Sequence, residues 1–68
     1  MTIEEKNKVN KIIRKYEGEN SFILSLQKQL KTSKYLKKES FGKKDIKVLS
    51  DKQYESAISI LDIDLKNE

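Results

Sequence analysis

The chain has 68 residues, with 15 lysines and arginines against 11 aspartates and glutamates, and a formal net charge of +4. It has no cysteine and no histidine, which excludes a disulfide framework, the usual zinc ligand sets and histidine-based catalysis. No apolar run approaches the roughly 20 residues that span a bilayer, and the polar N-terminus does not resemble a signal peptide. These features predict a small cytoplasmic protein with one domain, residues 1–68. We expect it to be no enzyme, to need no cofactor and to have no membrane or small-molecule partner.

A first amphipathic helix is predicted over residues 3–16. Thr2 and Glu5 have the spacing of a capping box, in which each side chain accepts a hydrogen bond from the other's backbone N–H. Gly18 follows the helix and is expected to end it in the left-handed conformation, which glycine adopts without steric cost. The apolar side chains recur on one helical face, at Val9, Ile12, Ile13 and Tyr16.

The richest apolar run lies in residues 20–30 and predicts a second helix. Asn20 or Ser21 is suited to cap its start. The apolar face, with Phe22 beside it, consists of Ile23, Leu26 and Leu30. Tyr35 and Leu36 extend this face, so the prediction is a helix over 21–36. We expect it to be the central helix against which the remainder packs.

A third helix is predicted over residues 50–62, again from its start. Ser50 and Gln53 form a second capping box, and Leu49 with Tyr54 has the spacing of a hydrophobic staple. Residues 65–68 are expected to be a frayed tail.

Residues 37–48 show no clean periodicity and are predicted to be a basic connection, with room for one short helix within 37–45. Ile46 and Val48 alternate with Lys47, which permits a brief extended piece, but no partner strand is evident. The predicted fold class is therefore all-α, a small three- to four-helix bundle. Its predicted core consists of Val9, Ile12, Ile13, Tyr16, Phe22, Ile23, Leu26, Leu30, Leu36, Leu49, Tyr54, Ile58 and Leu61.

The charge is concentrated in the middle of the chain. Residues 28–47 carry eight lysines against Glu39 and Asp45, whereas residues 48–68 carry a net charge of −3. Such asymmetry indicates an electrostatic partner. Lysines can neutralise phosphates, and Tyr35 and Phe41 can stack on unpaired bases. The predicted nucleic-acid-binding residues are Lys28, Lys31, Lys34, Tyr35, Lys37, Lys38, Lys43, Lys44 and Lys47.

Other interpretations of the same residues stay open. The lysines can simply keep a small protein soluble while the two aromatic side chains close the core. A protein-interaction module is the second functional hypothesis, because several apolar residues lie off the predicted stripes, namely Ile3, Leu24, Ile60, Ile63 and Leu65. Asp62 and Asp64 are better explained as a solvated helix end than as a cation site, since an oxygen-ligand site needs several convergent groups.

Two segments, residues 20–30 and residues 49–57, carry a family resemblance. Their patterns, Asn-x-Phe with Ser-Leu-x-x-Gln and then Leu-Ser-x-x-Gln, resemble a helix–loop–helix pattern in small segments of phage and bacterial replication and helicase proteins. In length and charge the chain resembles the short accessory proteins encoded beside the recombination helicase UvsW of T-even phages. The resemblance implies a helical bundle similar to the HRDC module of RecQ-type helicases, an auxiliary nucleic-acid-binding domain. It further implies DNA and a helicase as partners in phage recombination, repair and replication, in the host cytoplasm.

Overall fold

Three helices and one antiparallel hairpin make up the fold. The structure, a computed structural model, describes residues 1–65. In chain order the elements are α1 (Ile3–Arg14), α2 (Ser21–Thr32), β1 (Lys37–Phe41), β2 (Lys44–Val48) and α3 (Asp51–Leu61). The predicted all-α bundle is wrong, because the fold is mixed α/β. The expectation of a central α2 is wrong as well, since α1 is the element that contacts each of the other four.

The helices begin where the capping signals indicate. The Thr2 N–H donates to Glu5 Oε1 at 2.8 Å while the Glu5 N–H donates to Thr2 Oγ1 at 3.2 Å. Ser50 and Gln53 make the same reciprocal pair at 3.0 and 3.3 Å. Asn20 is the cap of α2, its Oδ1 accepting from the Ile23 N–H at 3.1 Å. Both predicted capping boxes are confirmed.

The end of α1 depends on tertiary contacts. Gly18 does not have the expected left-handed conformation. It is glycine for a different reason, because a Cβ at this position would collide with the ring and hydroxyl of Tyr16. The Tyr16 hydroxyl accepts from the Asn20 N–H at 2.9 Å. Gln27 of α2 donates to three carbonyls at the end of α1, those of Ile13, Arg14 and Tyr16, at 3.0–3.1 Å.

All three helices end earlier than predicted, and α1 ends at Arg14 rather than at residue 16. Helix α2 stops at Thr32, and the next residue, Ser33, is already extended with ψ 129°. The predicted continuation to residue 36 is therefore wrong. Helix α3 ends as Asp62 turns left-handed with φ 51° and the Ile63 N–H reaches the Ile58 carbonyl at 3.1 Å. Leu65 packs against the core, contrary to the predicted fraying there. The rest of that predicted tail, residues 66–68, lies outside the described residues.

A β-hairpin occupies the segment that was predicted to be a connection with a short helix. Phe41 pairs with Lys44 across a two-residue loop, and the pairing continues to Lys37 with Val48. Gly42 has φ 67°, as the first loop residue of a type II′ hairpin turn requires. The partner strand that was not evident from the sequence is thus β1, the polar stretch immediately before β2.

Within residues 1–65, nine apolar residues form the buried core. Those that were predicted are Val9, Ile13, Ile23, Leu26, Leu30, Leu49 and Tyr54. Val48 and Ala57 join them. Ile12 is partly buried, and four further predicted members, Tyr16, Leu36, Ile58 and Leu61, are partly buried against the core. The prediction fails at Phe22, which is 36% exposed.

A polar network joins α1, β2 and α3 inside this core. Asn10, only 3% exposed, donates from Nδ2 to the Lys47 carbonyl at 2.7 Å. Its Oδ1 accepts from the Tyr54 hydroxyl at 2.9 Å, and that hydroxyl accepts from the Leu49 N–H at 3.0 Å. Burial raises the pKa of Tyr54 above its ordinary value of 10.0, so the hydroxyl keeps its proton at neutral pH. Each polar group in this network has a hydrogen-bond partner.

We expect Tyr54→Phe to lower the free energy of unfolding by about 1–3 kcal/mol, because it leaves the Leu49 N–H and the Asn10 amide oxygen without their partner. Urea denaturation followed by circular dichroism measures the change. Tyr35→Phe is the matched control, since Tyr35 is 97% exposed and its hydroxyl should contribute nothing. Equal stability of the two variants would contradict the structural role of the network.

Candidate nucleic-acid interface

The structure distributes the nine predicted binding residues over five parts of the chain. Lys28 and Lys31 are exposed on α2, and Lys34 and Tyr35 are exposed in the connection that follows it. The remaining five belong to the hairpin: Lys37 and Lys38 on β1, Lys43 in the loop, and Lys44 and Lys47 on β2. Because α2 ends at Thr32, Lys34 and Lys38 do not continue the helical face that carries Lys28 and Lys31.

The hairpin brings two of these lysines face to face. Lys38 is directly opposite Lys47, and the next pair on the same side is Ser40 with Asp45. The other side of the hairpin turns toward α1 and carries Ile46 and the buried Val48. Like charges placed opposite each other across a sheet are destabilising. None of the eight lysines of residues 28–47 forms an ion pair with a described carboxylate.

The two carboxylates of the basic segment are already engaged. Glu39 accepts from Lys6 Nζ of α1 at 3.2 and 3.3 Å, an ion pair that holds β1 against the helix. Asp45 accepts from the Ser40 hydroxyl at 3.3 Å. Asp45 keeps its negative charge on the outer face, but the hairpin lysines outnumber it and none of them forms an ion pair with a described carboxylate. Sequence reasoning did not single out Lys6, although it precedes Asn10 by one helical turn and shares its face.

Tyr35 stands out among the aromatic residues of the basic segment. Its side chain is 97% exposed, so it has no packing role. It borders a groove of about 480 Å³ between the α2–β1 connection and the start of α3, lined also by Leu36, Lys37 and Leu49. Phe41, the other predicted stacking residue, is partly buried. It is not among the partly buried side chains that pack against the core, so its placement does not support the alternative in which this ring closes the core.

Residues 1–65 offer little structural support for the other candidate functions, which are an apolar interaction surface and a cation site. Of the five off-stripe apolar residues, Ile3, Ile63 and Leu65 pack against the core. Leu24 and Ile60 are 40% and 44% exposed. Within the same residues, no three potential metal-ligating side chains come together. No described helix combines the length and the apolar character that crossing a membrane requires.

Comparison with protein-family models, curated proteins and solved structures found no match for this chain. The resemblance to helicase-associated proteins accordingly stays a prediction. The all-helical bundle that it implied is wrong for this fold.

We expect Lys38→Glu to raise the free energy of unfolding by about 0.5 kcal/mol, because it replaces a like-charge cross-strand pair with an attractive one. Chemical denaturation at low salt measures this. Lys34→Glu makes the same change in net charge outside the strands and is the control. If the two variants changed stability equally, the pairing of Lys38 with Lys47 would be energetically irrelevant.

Proposed function

We propose that this protein is a non-catalytic nucleic-acid-binding module whose hairpin lysines contact the phosphate backbone. The observation that carries the proposal is the opposition of Lys38 and Lys47 on the outer face of the hairpin, where neither forms an ion pair with a described carboxylate. A surface that served only for solubility would gain stability by placing opposite charges there. Retaining the repulsion is reasonable where an external anion relieves it.

The hairpin offers phosphates a fixed array of cations. Lys38 and Lys47 lie on its outer face, while Lys43 and Lys44 stand at its turn. The Asn10 and Lys6 contacts hold both strands against α1, so the lysine backbones need no ordering when the ligand binds. Binding of this kind releases condensed counterions and depends steeply on salt. The chain has a single arginine, Arg14, outside the basic segment, which disfavours bidentate readout of guanine.

Tyr35 adds an exposed aromatic ring to this group of lysines. It lies between Lys34 and the first strand, fully accessible and beside the groove. Stacking of an aromatic ring on an unpaired base is worth about 1–3 kcal/mol. Tyr35 is accordingly assigned to stacking, which makes DNA with unpaired bases the preferred ligand. A helicase as partner, and a role in phage recombination, repair or replication, rest on the family resemblance alone.

The alternative function is a protein-interaction module that docks on a helicase or on itself without direct contact to DNA. The exposed side chains of Leu24 and Ile60 favour it. Leu24 lies on the surface of α2 and Ile60 on that of α3.

The decisive experiment titrates isotope-labelled protein with short single-stranded and forked DNA at low and moderate salt. We expect saturable amide shifts centred on the hairpin. The double variant Lys38→Gln/Lys43→Gln should lower the slope of log K against log salt by about 1.4 on single strands, since each phosphate contact contributes about 0.7. Lys11→Gln/Lys15→Gln removes the same charge from exposed positions outside the basic segment and is the control.

Two results would contradict the proposal. One is the absence of amide shifts at low salt, which would direct the search to a protein partner and to Leu24 and Ile60. The other is an equal loss of slope in both double variants, which would mean that net charge acts without a defined site.

We expect Tyr35→Ala to weaken binding to single-stranded DNA by about 1–3 kcal/mol, the contribution of one stacked base. Duplex binding and the urea midpoint should stay unchanged, because Tyr35 is 97% exposed and buries almost no surface on folding. Fluorescence anisotropy with labelled oligonucleotides measures both affinities. An equal loss on duplex and single strand would argue against stacking, and Tyr35→Phe, which keeps the ring, should behave as the parent protein does.

A further inference from the structure

The hairpin has two edges, and their backbone groups differ in what they bind. In a hairpin with a two-residue loop the flanking pair is hydrogen-bonded, and the pairs alternate from there. Lys38 and Ser40 of β1 therefore turn their N–H and C=O groups away from β2, as do Asp45 and Lys47 of β2. The bond from Asn10 Nδ2 to the Lys47 carbonyl, at 2.7 Å, agrees with this pattern.

The edge of β2 is thus partly covered by α1, whereas the edge of β1 is open. No hydrogen bond in the described structure involves the backbone of Lys38 or Ser40 outside the strand pairing. Both residues are exposed. An exposed strand edge with unpaired groups is a template onto which another extended chain can add.

We infer that the open edge of β1 binds an extended peptide segment of a partner protein in which acidic and apolar residues alternate. The acidic half of the pattern follows from Lys38, which faces Lys47 and no described carboxylate. A residue of an added strand beside Lys38 would lie on the same face, within reach of its ammonium group. A carboxylate there converts the repulsion between the two lysines into an attractive cluster.

The apolar half follows from the alternation of side chains along a strand. The neighbours of that carboxylate would point to the other face of the sheet, the face of Lys37 and Glu39. These two residues line the groove, whose apolar part is the partly buried Leu36 above the buried Val48 and Leu49 and whose far side is polar. Pairing of β1 with a second copy of the chain fits less well, because lysines on an edge strand oppose such self-association and each copy carries a net charge of +4.

The probe for the test is a ten-residue peptide of alternating glutamate and valine, compared with a scrambled peptide of the same composition. Amide hydrogen exchange of the full chain gives the readout. We expect the alternating peptide to slow the exchange of the Lys38 and Ser40 amides, the two that point outward. The scrambled peptide should leave both rates unchanged.

Ser40→Pro removes one outward N–H and, like Ser40→Ala, the hydrogen bond from the Ser40 hydroxyl to Asp45. It leaves the backbone hydrogen bonds between β1 and β2 intact, and proline is tolerated on edge strands in that orientation. It should weaken binding of the alternating peptide about tenfold, which corresponds to the loss of roughly one hydrogen bond. Ser40→Ala keeps the N–H and should bind as the parent does. Lys38→Glu, which keeps the strand and reverses the charge, provides a second test and should weaken the same peptide.

Binding of DNA by Ser40→Pro separates this inference from the proposed function, because the variant keeps every lysine. Three results would overturn the inference. The first is equal binding of the alternating and the scrambled peptide, and the second is undiminished binding of the alternating peptide by Ser40→Pro. The third, in the absence of peptide, is amide exchange of Lys38 and Ser40 that becomes slower as the protein concentration rises. The last would assign the edge to a second copy.

Discussion

The tyrosine–asparagine network in the core is the interaction on which the arrangement of this small protein depends. Tyr54 of α3 and Asn10 of α1 together satisfy one backbone N–H and one backbone carbonyl at the end of β2. Since an unsatisfied buried polar group costs about 1–3 kcal/mol, the network is stable only with all its members in place. It fixes where β2 ends relative to both helices. A domain of this size has a thin stability margin. Apolar contacts are not directional, so the hydrogen bonds of the network add a directional constraint that the apolar core lacks.

The position of the hairpin follows from that constraint, and the position of the charge follows from the hairpin. Asn10 holds β2 by a main-chain carbonyl and Lys6 holds β1 by a side-chain ion pair. Both attachments come from one face of α1, one helical turn apart. The lysines of the outer face are thereby presented on an anchored surface. The proposed phosphate contacts and the open edge of β1 use different groups of the same strands, side chains in one case and main-chain atoms in the other.

The sequence predicted those features that depend on residues close together in the chain, namely the helix starts and the apolar helix faces. The three helix starts follow from capping side chains within three residues of the backbone groups they satisfy, and the apolar faces of Val9, Ile13, Ile23 and Leu26 follow from helical spacing. The hairpin was missed because β1 reads as Lys-Lys-Glu-Ser-Phe, with one apolar side chain in five. It is a strand because its backbone pairs with β2, and such pairing leaves no periodic pattern of apolar residues in the sequence. The available signal was Gly42 between two five-residue segments, since glycine at the first loop position suits a II′ turn.

The site was predictable in composition but not in arrangement. The lysine excess is visible in the sequence, yet the opposition of Lys38 and Lys47 requires the register, and the engagement of Glu39 requires a contact with Lys6 thirty-three residues away. The burial of Asn10 could be suspected from its place three residues before Ile13 of the core stripe, but its partners lie on two other elements. Tyr35 was expected to continue a helix and instead stands clear of the protein, because α2 ends at Thr32.

The unequal surroundings of the three tyrosines give the protein its own optical reporters. The chain has no tryptophan, so tyrosine emission is not masked by a stronger fluorophore. Tyr54 is buried in a hydrogen-bonded network, Tyr16 covers Gly18, and Tyr35 is surrounded by water. A variant that keeps Tyr35 alone reports contact with a ligand, and a variant that keeps Tyr54 alone reports loosening of the core. The two events can then be followed in separate samples, neither of which carries an added label.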